Sequence, residues 1–286
     1  MKNQTSLVIR QMTAADIPLG MTLKTLSHWN QTAADWRALF SYNPEGCFVA
    51  EWDGKPAGTT TTTVHDGKVG WIGMVLVHPD ARGRGIGTAL LEHAIAYLQG
   101  TGVPSIKLDA TPAGKRVYVP LGFQDEYELE RVEAMAAGGN ADCGPQIANL
   151  NVDKILDMDR EAFGVTRKPV LRRLANEFPD LCWQASDTKT GNLDGYLLTR
   201  PGANACFIGP WVARSAGTAE SLLRACLKKL AGQRVFMDVP VNHPARALAA
   251  RYGFKTQRPF TRMWLGCNDW PGNGALTCGI ADPAKG

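Results

Sequence analysis

A glycine-rich stretch between an apolar run and an apolar helix face constrains this chain more than any other part of its sequence. Residues 71–77 are an apolar run that predicts a buried strand. Pro79 ends that strand because proline has no backbone N–H for a sheet ladder. Residues 82–87 read Arg-Gly-Arg-Gly-Ile-Gly, and glycines at alternate positions remove Cβ atoms from a turn. A helix face follows, at Ile86, Leu90, Leu91, Ala94 and Leu98.

This strand, turn and helix predict an anion site. Free amides at a helix N-terminus and the positive end of the helix dipole both favour a phosphate, and Arg82 and Arg84 add positive charge. The Walker pattern is absent, because Thr88 follows Gly87 without a lysine. The dinucleotide pattern is absent because its third glycine is missing. A glycine-rich turn without a ligand is the alternative.

The spacing Arg-x-x-Gly-x-Gly, at Arg82, Gly85 and Gly87, resembles the acyl-CoA pyrophosphate loop of the GNAT acetyltransferases. The flanking residues, 77–79 and 90–91, match that family too. The resemblance implies acetyl-CoA as the co-substrate. It also implies a set of cofactor-binding residues: Val75, Leu76, Val77, Arg82, Gly83, Arg84, Gly85, Ile86, Gly87 and Thr88.

Length and composition limit the class of protein. A chain of 286 residues forms one large domain or two of ordinary size, and 44% apolar content can build a sizeable core. The net charge of +4 is too small to indicate a nucleic-acid partner. Residues 1–10 contain no apolar signal region, and no run of about 18 apolar residues indicates a membrane span. We expect a cytoplasmic protein with reduced thiols and no metal, since seven scattered cysteines form no C-x-x-C pair.

The first half predicts strands joined by tight turns, with helices between them. The predicted strands are 7–10, 47–52, 57–64, 69–77, 105–109 and 127–134. One predicted helix starts at Thr13, a second spans 33–40, and the glycine loop with the helix after it spans 83–100. Because Asp-Gly turns join the middle strands, they predict an antiparallel meander. The helix after the glycine loop crosses over to residues 105–109, so that strand is predicted to run parallel to 69–77.

Candidate substrate residues come from the helical pair between the first two strands. In GNAT proteins this pair forms one wall of the acceptor pocket, so the resemblance implies that Trp29, Asn30 and Trp36 contact the substrate, with His28 beside them. Core packing of the two tryptophans is the alternative.

Two further residues are candidates for catalysis. The sequence Tyr-x-x-x-Gly-Phe at 118–123 resembles the GNAT segment whose tyrosine lies beside the sulfur of CoA, so Tyr118 is the candidate acid. Asp109 ends a predicted central strand, where clefts form in open sheets, and is the candidate base. Packing of Tyr118 and capping of the next turn by Asp109 are the alternatives. The strand 71–77 lacks the glutamate that many relatives have there, which favours proton transfer through water. Glu45, His28 and His65 are weaker candidates for the base and are expected at the surface.

The second half repeats the order of the first. Helical patterns at 151–163 and 222–230 and strand patterns at 181–186, 206–212 and 234–239 follow the earlier sequence of elements. The cofactor pattern is lost, because Gly217 stands alone and Glu220 places a negative charge nearby. We therefore predict an α/β fold of two tandem GNAT domains, each a mixed, mostly antiparallel sheet flanked by helices. The predicted domains are 1–136 and 146–286, with a linker at 137–145 and a non-catalytic second domain that closes the acceptor cleft.

The predicted function is N-acetyl transfer from acetyl-CoA to a primary amine of a small molecule or amino group, by direct attack, in a monomer or homodimer. A non-catalytic acyl-CoA-binding or sensor protein is the alternative. A tandem enzyme of the kind that makes mycothiol shares the architecture, but its second half is the active one, which fits this sequence poorly.

Overall fold

The computed structural model describes residues 6–138 and 146–286. These residues form two compact units, each with a sheet flanked by helices. Unit 1 consists of the residues up to Gln124, Met263–Asn268 and Pro283–Lys285, and unit 2 consists of Asp125–Arg262, Asp269–Asp282 and Gly286. The predicted linker at 137–145 lies outside the described residues except for Ala137 and Gly138.

The elements follow one another as helices and strands of ordinary length. The first half contains β1 (Leu7–Gln11), α1 (Ile17–Leu26), α2 (Ala33–Tyr42), β2 (Phe48–Trp52), β3 (Lys55–His65), β4 (Val69–Val77), α3 (Ile86–Gly100), β5 (Ser105–Ala110), α4 (Pro112–Tyr118) and β6 (Gln124–Met135). The second half contains β7 (Gln146–Asn149), α5 (Val152–Phe163), α6 (Lys168–Glu177), β8 (Cys182–Ser186), β9 (Leu193–Arg200), β10 (Cys206–Ala213), α7 (Ala216–Lys229), β11 (Arg234–Pro240), α8 (Pro244–Arg251), β12 (Lys255–Gly266) and β13 (Thr277–Gly279).

The sheet of unit 1 has the order β1-β2-β3-β4-β5, and the last residues of β12 lie beside β5. The pairs β1–β2, β2–β3 and β3–β4 are antiparallel, whereas the pair β4–β5 is parallel. The predicted meander and the predicted crossover through α3 are therefore both confirmed. The order places the end of β4, the start of α3 and the end of β5 at the same edge of the unit.

Local sequence signals account for the helical pair and for the threonine strand. Thr32 and Asp35 form a capping box that starts α2, with the Thr32 hydroxyl accepting from the Asp35 amide at 3.2 Å. The threonines of β3 predict a half-buried strand, but Thr59–Thr63 are all buried. The reason is that α3 packs on one face of β3, while α1 and α2 also contact this strand.

The sheet of unit 2 has the order β12-β6-β11-β10-β9-β8-β7, with β13 beside β10. β10 and β11 are parallel and are joined by α7, which repeats the arrangement of β4, α3 and β5. The fold class is confirmed: both units are mixed, mostly antiparallel sheets with helices against them. Within the described residues, no helix combines the length and apolarity that crossing a bilayer requires.

Candidate active site

A cleft of about 700 Å³ opens in unit 1 where β4, α3, β5 and α4 converge. It brings together most of the predicted site residues: Trp29, Val75, Leu76, Val77, Arg82, Gly83, Gly85, Ile86, Gly87, Thr88, Asp109 and Tyr118. Its volume is in the range of small-molecule and cofactor pockets. Residues that the sequence did not single out complete the wall, namely Leu26, Ser27, Ala81, Thr111, Ala113, Gly114 and Val117. They neighbour predicted residues along the chain, which is the only signal that pointed to them.

The inner wall of the cleft is the backbone edge of β4. β4 pairs with β5 only at residues 69–71 and then diverges from it. On its other side, the register shifts so that Met74 and Val75 together lie opposite Thr60, which is a β-bulge. Met74 has φ +52°, a left-handed conformation that non-glycine residues rarely adopt. Beyond residue 71, β4 is no longer paired with β5, and Leu76 and Val77 line the cleft while they still pair with β3 on their other side.

Contacts from two sides hold this bulge. The buried Thr59 hydroxyl donates to the Met74 carbonyl at 3.1 Å, and the buried Thr60 hydroxyl donates to the Gly73 carbonyl at 3.3 Å. A Cβ on Gly73 would lie 2.5 Å from the carbonyl oxygen of Ala284, so only glycine allows that close approach. A bulge bound in this way keeps its geometry before any ligand arrives.

The glycine loop leads into α3 as predicted. Gly83 and Gly85 have φ of +76° and +77°, which glycine adopts without strain, and a Cβ on either would meet open space. Gly85 is the N-cap residue of α3, and no side chain in the described part of the chain caps that helix. Arg82 donates from Nε to the Val77 carbonyl at 3.1 Å and lines the cleft. The first-turn amides and the nearby Arg82 guanidinium are therefore arranged in a way that would suit an anion.

Arg84 lies elsewhere. Its guanidinium stacks over the Trp52 ring at 5.4 Å from the ring centroid, and it is not among the residues that line the cleft. The predicted contact of Arg84 with the cofactor remains a prediction.

Tyr118, the last residue of α4, lines another wall of the cleft. Its ring lies over Gly114, one turn earlier, where a Cβ would approach the ring and hydroxyl to 2.9–3.0 Å. The Phe123 ring is 6.0 Å away and tilted, so Tyr118 is supported from behind. Burial raises the pKa of the Tyr118 phenol to about 12. The hydroxyl therefore keeps its proton at neutral pH and can donate it.

Asp109 lies near the end of β5 and faces the same cleft. The cap of the following helix is Thr111, whose hydroxyl accepts from the Gly114 amide at 3.1 Å. Thr111, and not Asp109, is therefore the residue that caps α4. A carboxylate at this position can attract a cationic amine into the cleft.

The helical pair contributes only part of the predicted acceptor wall. Trp29 lines the cleft together with His28. Trp36 is fully buried in the core, with its ring against Gly20, where a Cβ would lie 2.7 Å from it. Asn30 is also buried and does not line the cleft. Core packing accounts for Trp36.

The other base candidates divide between surface and interior. Glu45 is exposed, as expected. His65 is buried, contrary to the expectation of a surface group, because its Nε2 lies 3.0 Å from the Lys285 carbonyl in unit 1. A carbonyl from the end of the chain replaces water as its partner.

The equivalent junction in unit 2 is built differently. α7 begins at Ala216, ahead of Gly217, and Ser215 caps it by accepting from the Thr218 amide at 3.1 Å. The Asp194 carboxylate accepts from the hydroxyls of Ser215 and Thr218. One amide of the first turn is thus satisfied within the protein, and a carboxylate lies beside this helix start. This arrangement disfavours an anion there.

Comparison with known families gives two matches along this chain. The model described as "Acetyltransferase (GNAT) family" matches residues 17–123, and the model described as "Acetyltransferase (GNAT) domain" matches residues 155–275.

The relatives match either most of the chain at low sequence identity or a smaller part of it at higher identity. A holothin acyltransferase of Pseudoalteromonas sp. is 21% identical over 74% of this chain and 71% of its own length. An acetyltransferase of Pectobacterium atrosepticum is 31% identical over 40% of this chain and 77% of its own length. A mycothiol acetyltransferase of Thermobispora bispora is 36% identical, but the match spans only 29% of this chain and 31% of that enzyme.

Solved structures match over almost the whole length. A protein from Pyrococcus horikoshii covers 100% of this chain and 99% of its own, with a TM-score of 0.83 and 24% identity. A tandem GNAT protein from the clavulanic acid biosynthesis pathway covers 91% of this chain and 98% of its own, with a TM-score of 0.62 and 16% identity. At these identities the likeness concerns the fold.

Proposed function

This chain belongs to the GNAT family of acetyltransferases, and from that premise we propose that unit 1 moves an acetyl group from acetyl-CoA to a primary amine. The acceptor is a small molecule or an amino group. One observation carries the proposal: a single cleft contains the uncapped start of α3, the edge of β4 that β5 leaves unpaired, and Tyr118. These are an anion site, a row of amides and a proton donor.

The residues present fit the co-substrate. The amides of the first turn of α3 and the Arg82 guanidinium suit a diphosphate, because both place positive charge at one point. The edge of β4 from Val75 to Val77 offers backbone groups to an extended arm. When bound, acetyl-CoA supplies a thioester whose carbonyl carbon is attacked by the amine. The two left-handed glycines leave space at the point of closest approach.

The chain's own groups then carry the chemistry. A backbone N–H near the β4 bulge can donate to the thioester oxygen as negative charge develops there, and the contacts that fix the bulge hold that donor in place. Tyr118 can donate a proton to the leaving sulfur, because its phenol is protonated at neutral pH. Asp109 orients the amine or takes its proton. Deprotonating a lysine-like amine at pH 7 costs roughly 4–5 kcal/mol, so the site benefits from a base.

We infer that unit 2 is not catalytic. Its equivalent helix is capped by Ser215 and faces Asp194, so the anion site of unit 1 has no counterpart there. Its corresponding cleft has a volume of about 350 Å³, half that of unit 1.

The test is an acceptor panel assayed with acetyl-CoA. Purified protein is mixed with acetyl-CoA and tryptamine, spermidine, lysine, glucosamine or a short peptide with a free N-terminus. Free thiol and acetylated product are measured together. We expect thiol release that depends on the amine and matches the acetylated product in amount. Binding of CoA without acetylation of any amine would overturn the proposed reaction and favour the acyl-CoA-binding alternative.

A further inference from the structure

His28 lies where α1 ends and forms part of the cleft wall. The helix ends in a Schellman motif: the His28 amide donates to the Thr25 carbonyl at 3.0 Å, and the Trp29 amide donates to the Lys24 carbonyl at 2.9 Å. The residue that donates the first of these bonds adopts the left-handed conformation, so glycine is usual at this position. Here it is His28, with φ +55°.

The histidine gains no burial in return for this strained backbone. Its side chain is exposed, on the face of α1's end that opens to the cleft. A left-handed backbone costs free energy in a non-glycine residue, and unlike Asp66 this residue places its exposed imidazole in the wall of the cleft.

The segment that carries His28 is held at both ends. On one side are the backbone bonds that end α1. On the other side, Thr32 begins α2 with its capping box to Asp35, and the intervening Asn30 and Gln31 are buried. The imidazole is therefore presented on a fixed backbone, as a catalytic group requires.

We propose that His28 accepts the proton that the acceptor amine loses during acyl transfer, an inference that rests on the proposed function. The amine nitrogen forms a bond to the acyl carbon, and the carbon–sulfur bond breaks. The amine proton passes to an imidazole nitrogen of His28, and the Tyr118 phenol proton passes to the sulfur. Both groups then exchange protons with water. Asp109 orients the cationic amine, which first gives one proton to water. The neutral amine then attacks, and the proton that passes to His28 is the second one that the nitrogen loses. This role fits a site whose β4 strand contains no carboxylate.

The test uses His28→Gly and His28→Asn, with the panel amine that the wild-type protein acetylates fastest. Glycine removes the imidazole and relieves the backbone, so we expect kcat to fall about 100-fold while the melting midpoint rises by about 2 °C. Asparagine tolerates the left-handed conformation but accepts no proton, so we expect the same loss of kcat with little change in melting. Added imidazole should restore part of the activity of His28→Gly.

Asp66→Gly is the matched control. Asp66 also has a left-handed backbone, with φ +56°, and lies in an exposed turn outside the cleft. We expect a similar rise in melting midpoint and unchanged kcat. Wild-type kcat in His28→Gly, or loss of activity that imidazole does not restore, would overturn the role of His28. If the wild-type protein acetylates no panel amine, the proposed function fails instead.

Discussion

Gly114 and Tyr118 lie one turn apart on α4, and the absence of a side chain at the first makes room for the ring of the second. A glycine inside a helix ordinarily costs about 1 kcal/mol relative to alanine. The Tyr118 ring explains the glycine at position 114, because the ring occupies the space that a side chain there would need.

Gly114→Ala should separate stability from activity. The new Cβ would meet the far end of the Tyr118 ring at 2.9–3.0 Å, so the ring must swing away from its position in the cleft. We expect kcat to fall about tenfold or more, with the free energy of unfolding changed by less than about 1 kcal/mol. Steady-state kinetics and urea denaturation measure the two effects.

Gly217→Ala is the control for this change. It lies in the first turn of α7 in unit 2, where a Cβ meets open space. We expect a small gain in stability and wild-type kcat. Equal effects of the two substitutions on kcat would contradict the account of Gly114.

The sequence did not predict which of the candidate side chains line the cleft and which are buried in the core. Trp29 and Trp36 were equal candidates for the acceptor wall, and only Trp29 lines the cleft. Both belong to apolar surroundings near α2, and spacing alone does not separate a core face from a cleft wall. His65 shows the same limit, because its partner is the carbonyl of Lys285, far along the chain.

At the scale of elements, the bulge in β4 is the feature that opens the cleft. Strand, loop and helix around it were predicted because apolar runs, glycines and helical spacing are local signals. The bulge was not, since its left-handed residue is Met74 and the residues that fix it are on β3. The sequence pattern of 69–77 is that of an uninterrupted strand.

Thr59→Val tests whether β3 fixes the bulge. Valine keeps the shape but leaves the buried Met74 carbonyl without the hydroxyl that donates to it at 3.1 Å. We expect the free energy of unfolding to fall by about 1–3 kcal/mol and kcat to fall about tenfold, because the nearby donor moves. Thr59→Ser keeps the hydroxyl and should retain most of kcat. A kcat equal to wild type in Thr59→Val would contradict this role of β3.

The join between β1 and α1 should weaken in acid. The Arg10 guanidinium hydrogen-bonds to Asp16 and holds the pKa of that carboxyl at about 2, below its ordinary value of 3.8. A lowered pKa in the folded state stabilises the fold above pH 3.8, and this contribution is lost as the pH falls toward 2. Denaturation at a series of pH values should show this loss in the wild-type protein. The loss should be smaller in Asp16→Asn. If the free energy of unfolding depends on pH equally in both proteins, this role of Asp16 is contradicted.

For the whole molecule, the sequence indicated two tandem folds but treated each half as continuous. By their internal contacts, the two compact units are discontinuous in sequence, since unit 1 also includes residues 263–268 and 283–285. Residues 284 and 285 approach Gly73 and His65, and no local pattern announces a partner more than 200 residues away. Several elements of the second half were also missed, namely β7, α6, β9, α8, β12 and β13.

Unit 2 provides a matched control for the central claim, because its loop keeps the spacing of an arginine and a glycine at Arg214 and Gly217. In unit 1, the left-handed Gly83 and Gly85 lead into the uncapped start of α3, whereas in unit 2 Ser215 caps α7 and Gly217 lies inside that helix. The two loops thus share residue types and differ in backbone geometry.

The most direct measurement is CoA affinity by isothermal titration calorimetry, for wild type and two double variants. Arg82→Ala with Gly85→Ala removes the guanidinium and strains the turn that leads into α3, so we expect affinity to fall at least about tenfold, or about 1.4 kcal/mol. Arg214→Ala with Gly217→Ala should leave the affinity at its wild-type value. Unchanged affinity in the unit 1 variant, or an equal loss in the unit 2 variant, would contradict the claim that residues 82–88 hold the diphosphate.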